Sequence, residues 1–331
     1  MDEITIYDIA RKAGVSASTV SRVINNYPHV KKETREKVLS LLKENNFVPN
    51  VAAQSLVTQS TKIVGILISD MRTTHHTDSI YYIERELSKF GYSCLIYNTG
   101  VEPEGQEKIM QTLSRRNIDA LILVGSVYQN KTVADAIERY IPTLPVVMFN
   151  GYIKADNVYG VISDEKKGVE ESVKLLSQKG RKNIAFVLNN KTPSNNNKLK
   201  GFEIGFEHYI SGGNSYVLTT GSANDAIINK LASFIDDNPK IDSIIFSEDY
   251  LAMIGIHVIL QKGKKIPDDI AIIGINNSRF SEITNPTLTS LDTMLYDCCT
   301  QSVNNLIHAI NGDRISHKIV IEPVLVERNS T

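Results

Sequence analysis

The sequence predicts an α/β chain, with an all-helical helix-turn-helix segment at its N-terminus and a two-lobed core of doubly wound parallel sheets behind it. Three observations lead there. The first sixty residues carry apolar stripes at helical spacing alone. From Lys62 onward, short β-branched apolar runs alternate with amphipathic stretches. Those runs are apolar on both faces, which suits parallel strands covered by helices on either side.

At 331 residues the chain can hold two or three domains with their own cores. Hydrophobic residues make up 42% and charged residues 22%, as in ordinary soluble globular proteins. The longest apolar runs, "IVGILI" (63–68) and "ALILVG" (120–125), are too short to span a bilayer. The opening "MDEITIYDIA" lacks the basic-then-apolar pattern of an export signal, so a cytoplasmic location is expected. Cys94, Cys298 and Cys299 make neither a disulfide framework nor a CxxC pair, and no metal or cofactor is expected. Residues 1–60 hold eight Lys/Arg and six Asp/Glu, leaving 28 and 31 for the rest. A +2 head on a −3 body is too small an asymmetry to establish nucleic-acid binding alone.

Ile6, Ile9, Ala10 and Ala13 space a first helix, which Gly14 interrupts. Val20, Val23 and Ile24 stripe a second. Asn26, Pro28 and His29 make a loop, and residues 31–46 give a third helix with Val38, Leu41 and Leu42 inward. Pro49 stops it. "NVAAQSLVTQST" (50–61) is a polar connector with a short helical tendency. Strands are then expected at 63–68, 92–97, 119–124, 145–149, 183–188, 242–246 and 270–275. Helices are expected at 77–90, 103–116, 130–140, 164–179, 195–210, 224–237, 249–262 and 294–310.

The stretch "DIARKAGVSASTVSRVINN" fills every special position of a helix-turn-helix that begins at Ile6. Ala10 is small where the helices touch. Gly14 can take a positive φ in the turn without a Cβ clash. Ile9, Ala13, Val15, Val20 and Val23 are the buried set, and Ser16 is placed to cap the second helix. With Val20, Val23 and Ile24 facing inward, Ala17, Ser18, Ser21, Arg22 and Asn25 are left toward a major groove. Arg22 can donate twice to a guanine, Ala17 can meet a thymine methyl, and Ser18 can bond either kind of base. Ser16, Thr19 and Ser21 suit phosphate oxygens. Thr5, His29 and Thr34 complete the candidate contacts on double-stranded DNA.

"TIYDIARKAGVSASTVSRVINN", "VKKETREKV" and "NNFVPNVAAQSL" closely resemble the lac repressor (LacI/GalR) family of bacterial transcription regulators. The resemblance continues through "IVGILISD", "GVISDEKKG", "LSQKGRKNIAFV", "LKGFEIGF" and "KIPDDIAIIGIN". It implies a DNA-binding headpiece (1–48), a hinge helix and linker (49–61), and a periplasmic-binding-protein-like core (62–331). One lobe would take 62–162 and 292–322, the other 163–291 and 323–331. It further implies a homodimeric repressor on a palindromic operator. Asn50, Ala53, Gln54 and Leu56 become the hinge positions that meet the minor groove, with Leu56 as an apolar wedge between base steps.

Ligands of open α/β sheets sit beyond the carboxyl ends of the strands. The resemblance places effector contacts at such ends: Ser69, Asp70, His75, His76, Ser126, Asn150, Lys198, Phe246, Glu248, Asp249 and Asn276. Closure of the lobes on a small molecule would then be linked reciprocally to operator affinity. Four positions depart from the family pattern. Lys198 stands where many sugar-binding members have arginine, and Asn276 where they have aspartate. Glu248-Asp249 replaces "ND", and His75-His76 replaces an aromatic pair. A sugar, a phosphorylated sugar or another metabolite all remain open. The acids of "SDEKKG" and "GVEPEGQEK" read as helix N-terminal residues on solvated faces. An enzyme on a doubly wound fold is the alternative. No GxGxxG after a strand, GxxxxGK[ST], GxSxG or HExxH supports it.

Overall fold

The computed structural model describes residues 4–24, 27–45, 47 and 60–331. The chain divides into two compact units, Met1–Thr61 and Lys62–Thr331.

The first unit contains α1 (Ile6–Ala13), α2 (Ala17–Ile24) and α3 (Lys32–Glu44). Ile9, Ala10, Ala13, Val20, Val23 and Val38 close its core. Burying each larger one contributes roughly 1.5–3 kcal/mol. Thr5 opens α1 with a reciprocal capping box to Asp8, and Gly14 ends it in the left-handed region at φ 70°.

The second unit holds two six-stranded sheets. The first is built from β1 (Ile63–Ile68), β2 (Ser93–Asn98), β3 (Ala120–Val124), β4 (Val146–Phe149), β5 (Val158–Ser163) and β11 (Lys318–Ile321). Its order is β11-β5-β4-β3-β1-β2, parallel throughout. The second is built from β6 (Asn183–Leu188), β7 (Asn214–Thr219), β8 (Ser243–Phe246), β9 (Ala271–Ile275), β10 (Thr289–Asp292) and β12 (Val324–Val326). Its order is β12-β10-β9-β8-β6-β7, with β12 alone antiparallel to its neighbour. Helices α4 (Thr74–Lys89), α5 (Pro103–Ser114), α6 (Lys131–Tyr140), α7 (Glu165–Gln178), α8 (Pro193–Tyr209), α9 (Asn224–Asp237), α10 (Asp249–Gln261), α11 (Arg279–Ile283) and α12 (Leu295–Ile310) follow in order. Along β1, Ile66 and Ile68 pack into one apolar cluster and Leu67 into another. A strand buried on both faces reads as a continuous apolar run for this reason.

Strands β5, β7, β10, β11 and β12 went unexpected in the sequence. Strand β7 is an exposed edge with polar residues interleaved. Strands β10, β11 and β12 are three or four residues long. Strand β5, "VYGVIS", is interior, but its Gly160 and Ser163 interrupt the apolar run. Three of these strands mark where the chain passes between sheets: after β5, after β10 and after β11. Helix α4 begins three residues before the expected 77, which places His75 and His76 in its first turn. Cys298 and Cys299 are buried on α12 beneath the first sheet, and burial pushes the Cys298 thiol up to about 12.

Candidate functional site

The sequence assigns two surfaces, one in each unit. In the first unit, α2 buries Val20 and Val23 and leaves Ser18 and Arg22 exposed. Ala17, Thr19 and Ser21 are half-buried on the same helix, as is Thr34 on α3, and His29 is exposed in the loop between them. The Thr19 amide donates to Ser16 Oγ at 3.2 Å, so Ser16 caps α2 as its spacing predicts. That hydroxyl also lies 2.8 Å from Ser18 Oγ and 2.9 Å from Thr19 Oγ1. Thr5 is likewise committed within the chain, its hydroxyl donating to Asp8 Oδ2 at 2.6 Å. Tyr7, 70% exposed on α1, is an aromatic ring the sequence argument passed over. Its neighbours Ile6 and Ile9 drew the attention to the buried stripe. Asn25 and the hinge positions Asn50, Ala53, Gln54 and Leu56 lie outside the described residues.

In the second unit, the strand registers bring the carboxyl ends of β1, β3 and β4 level with one another. Ile68 pairs with Val124, and Val124 with Phe149. Ser69 and Asp70, Ser126, and Asn150 therefore emerge side by side. Asn150 sits at φ 55°, Asn276 at φ 107° and Asn277 at φ 46°. Non-glycine residues seldom adopt such backbone, and asparagine tolerates it better than most because its short amide bonds locally. These turns aim three amides at the strand ends of the two sheets.

Opposite them, α8 carries Lys198, whose side chain is 7% exposed. Its ammonium donates to the Ser247 carbonyl at 3.1 Å and stands 3.3 Å from Glu165 Oε1. Glu165 in turn accepts from Asn150 Nδ2 at 3.2 Å and from Ser194 Oγ at 2.5 Å. The Ser194 amide donates to Ser126 Oγ at 3.0 Å, so the two lobes are bonded directly across the cleft. Glu165 was expected on a solvated helix face and is instead 5% exposed at the centre of this network. The sequence signal was available in part: Glu165 opens α7 where the chain first crosses between lobes, a position that must lie near the cleft. Glu248 accepts from Asn189 Nδ2 at 2.8 Å, and burial raises its carboxyl above the usual range.

His75 lines the cleft with Phe149, Asn150, Ser163, Thr293 and Cys298. Its ring lies 5.7 Å from that of Phe149. Burial, with help from His76 and Lys198, drives its pKa down to about 3, so the imidazole is neutral. His75 Nδ1, Ser163 Oγ and Thr293 Oγ1 are buried without a partner, and so is Ser247 Oγ beside Lys198. An unpaired buried polar atom costs about 1–3 kcal/mol. Such atoms gathered in one place call for an explanation by function. His76 is held by the Asp70 carbonyl through Nδ1 at 2.9 Å. The Arg72 guanidinium grips Asp70 with both nitrogens and holds its carboxyl down at about 2.

Two expected effector contacts do not reach the cleft. Phe246 is wholly buried in the second lobe, with its ring so close over Gly255 that a Cβ there would meet it at 2.2 Å. As the last residue of an interior strand it points into the core. Asp249 is 1% exposed. Its carboxylate accepts from Ser290 Oγ and from the Ser278 amide, each at 2.6 Å, and ties β8, β9 and β10 together beneath the turn. Asn276, half-buried, keeps its place at the carboxyl end of β9.

Among the described residues, no group of three or more His, Cys, Asp or Glu could hold a metal ion. Nor is any helix among them long and apolar enough to cross a membrane.

Residues 5–50 match the model of bacterial regulatory proteins of the lacI family, and residues 173–331 match a periplasmic binding protein-like domain. An HTH-type transcriptional regulator of Lachnoclostridium phytofermentans is 33% identical over 331 residues, covering 99% of each chain. Catabolite control protein A of Priestia megaterium is 29% identical, with 99% of each chain covered. In three dimensions the chain is similar to a lac repressor dimer bound to operator and the anti-inducer ONPF, with a TM-score of 0.86, 21% identity and 99% of each chain covered. A complex of the transcriptional regulator CelR with cellobiose gives a TM-score of 0.72 at 21% identity, covering 99% of this chain and 100% of that one. The family is one of regulators, and the enzyme alternative finds no support in it. With a helix-turn-helix unit, a two-lobed parallel-sheet core and a full-length relative above 30% identity, this chain belongs to the lacI family of bacterial regulatory proteins and is a DNA-binding transcription regulator.

Proposed function

We propose that this regulator is a cytoplasmic, homodimeric repressor of a palindromic operator, and that a small polar molecule in the core cleft modulates its grip. On the DNA side, Arg22 reads a guanine and Ser18 an adjacent base from the exposed face of α2. Ser16, Thr19 and Ser21 with the α2 amides meet phosphates, and Thr5 orders α1 as its cap. Asn25, Thr34 and His29 add flanking contacts. The hinge positions Asn50, Ala53, Gln54 and Leu56 enter the minor groove.

On the effector side the reading rests on one observation: buried polar atoms without partners, on His75, Ser163, Thr293 and Ser247, meet at the strand ends beside a buried Lys198–Glu165 pair. Such atoms gain from a ligand that bonds them. Ser69, Asp70, His76, Ser126, Asn150, Glu248 and Asn276 border the same cleft. The lac repressor and CelR structures were solved with ONPF and cellobiose, respectively, which supports a sugar or sugar derivative here. Operator and ligand then bias one equilibrium, and each alters the affinity of the other by the same factor. Mobility shift of the full chain on a palindromic site selected from a random-sequence pool, at fixed salt, tests the DNA half. Specific binding at least about 1,000-fold above random DNA is expected, and equal binding to both would refute sequence-specific repression.

A further inference from the structure

We infer that the cleft ligand is an uncharged polyhydroxyl compound, and that the cleft rejects phosphorylated and carboxylated sugars. This deepens the effector reading above and rests on it.

The first support is the charge already in place. Lys198 is the one buried lysine or arginine among the described residues. Its ammonium is committed to Glu165 and to the Ser247 carbonyl. A second carboxylate, Glu248, stands nearby, held by Asn189 and acted on by Lys198. The buried charges thus leave no cation unmatched. Arg72 is exposed and forked onto Asp70, and Arg279 is exposed and acts on Asp78. An entering phosphate would lose its water and face Glu165 and Glu248 at low dielectric. It could be received only by taking Lys198 away from Glu165, which would then be the unpaired buried charge.

The second support is the chemistry of the uncommitted atoms. His75 Nδ1 and the hydroxyls of Ser163, Thr293 and Ser247 are all neutral. Each hydroxyl can donate and accept, and a neutral imidazole donates at one nitrogen and accepts at the other. Sugar hydroxyls offer the same pair of roles. A phosphate or carboxylate offers acceptors alone and would leave half of that capacity unused.

Calorimetry on the full chain tests this with matched pairs: D-ribose against D-ribose 5-phosphate, D-glucose against D-glucose 6-phosphate and D-glucuronate, and cellobiose against cellobionate. For whichever parent sugar binds, the anionic derivative is expected to bind at least about 30-fold more weakly, or about 2 kcal/mol. In Glu165→Gln, which frees Lys198, that ratio should shrink to under about 10-fold. An anionic derivative that binds the wild-type chain as tightly as its parent, or tighter, overturns the inference and leaves the cleft as an effector site. Absence of binding by every compound would overturn the effector reading itself, and this inference with it.

Discussion

Lys198 and Glu165 form a buried ion pair at 3.3 Å, the ammonium on α8 of one lobe and the carboxylate where the chain crosses from the other. Neither side chain is more than 7% exposed. Each is therefore costly without its partner. Lys198→Met should destabilise the full chain by about 3–5 kcal/mol by stranding Glu165. Lys198→Met with Glu165→Gln should recover most of that loss. Denaturant unfolding of the two single variants and the double variant measures the coupling. Additive losses would mean that the pair does not interact as drawn.

His75 gives a pH signature. Its folded pKa, about 3, lies below the unfolded value of 6.5. The unfolded chain binds the extra proton, so stability is full above pH 6.5 and is lost as pH falls toward 3. The steepest contribution is about 1.4 kcal/mol per pH unit. His75→Phe should flatten the profile over that range, and an unchanged acid limb would remove the buried neutral imidazole from the account.

Asp249 works in the opposite sense. Burial raises its carboxyl from 3.8 to about 6, so the folded chain holds the proton longer. Its contribution is present below pH 3.8 and is lost as pH rises through 6. Asp249→Asn should abolish that fall and also cost about 1–3 kcal/mol, because an amide nitrogen cannot accept from the Ser278 amide. If effector response survives at permissive temperature, the tie to Ser290 and Ser278 is its role. Loss of response with unchanged stability would return Asp249 to the ligand contacts.

Thr5 and Arg22 separate folding from reading. Thr5→Ala should lower stability by about 1 kcal/mol, and Thr5→Asn, which keeps a capping oxygen, by much less. Thermal melts compare them. Arg22→Ala should leave the melt unchanged and weaken operator binding by about 1–3 kcal/mol relative to random DNA. Equal losses on both DNAs would assign Arg22 to the phosphate backbone.

Much of this architecture was legible in the sequence, for physical reasons that differ by element. The helix-turn-helix is specified within twenty residues, where Ala10, Gly14, Ser16 and Val20 each satisfy a local demand. Interior strands such as β1 and β3 announce themselves because both faces are apolar. Strands β10, β11 and β12 are too short for any period to emerge, and their pairing is decided by residues far away in sequence. The cleft was half legible. Lys198, Asn150 and His75 lie where strand-end and family patterns put them. Glu165 was hidden because an acid at a helix start reads the same whether water or a lysine from another element faces it. Phe246 and Asp249 erred for the same reason: sequence marks the end of β8 but not which side of it each side chain takes.

The most direct measurement is fluorescence anisotropy of the full chain on its selected palindromic site, titrated with a panel of unphosphorylated sugars, for the wild type and Lys198→Ala. The expected result is at least about a 10-fold change in operator affinity with one sugar for the wild type, corresponding to about 1.4 kcal/mol of coupling, and little or none for the variant. Operator affinity that no sugar moves, or that moves equally in both proteins, would contradict a cleft that tunes DNA binding.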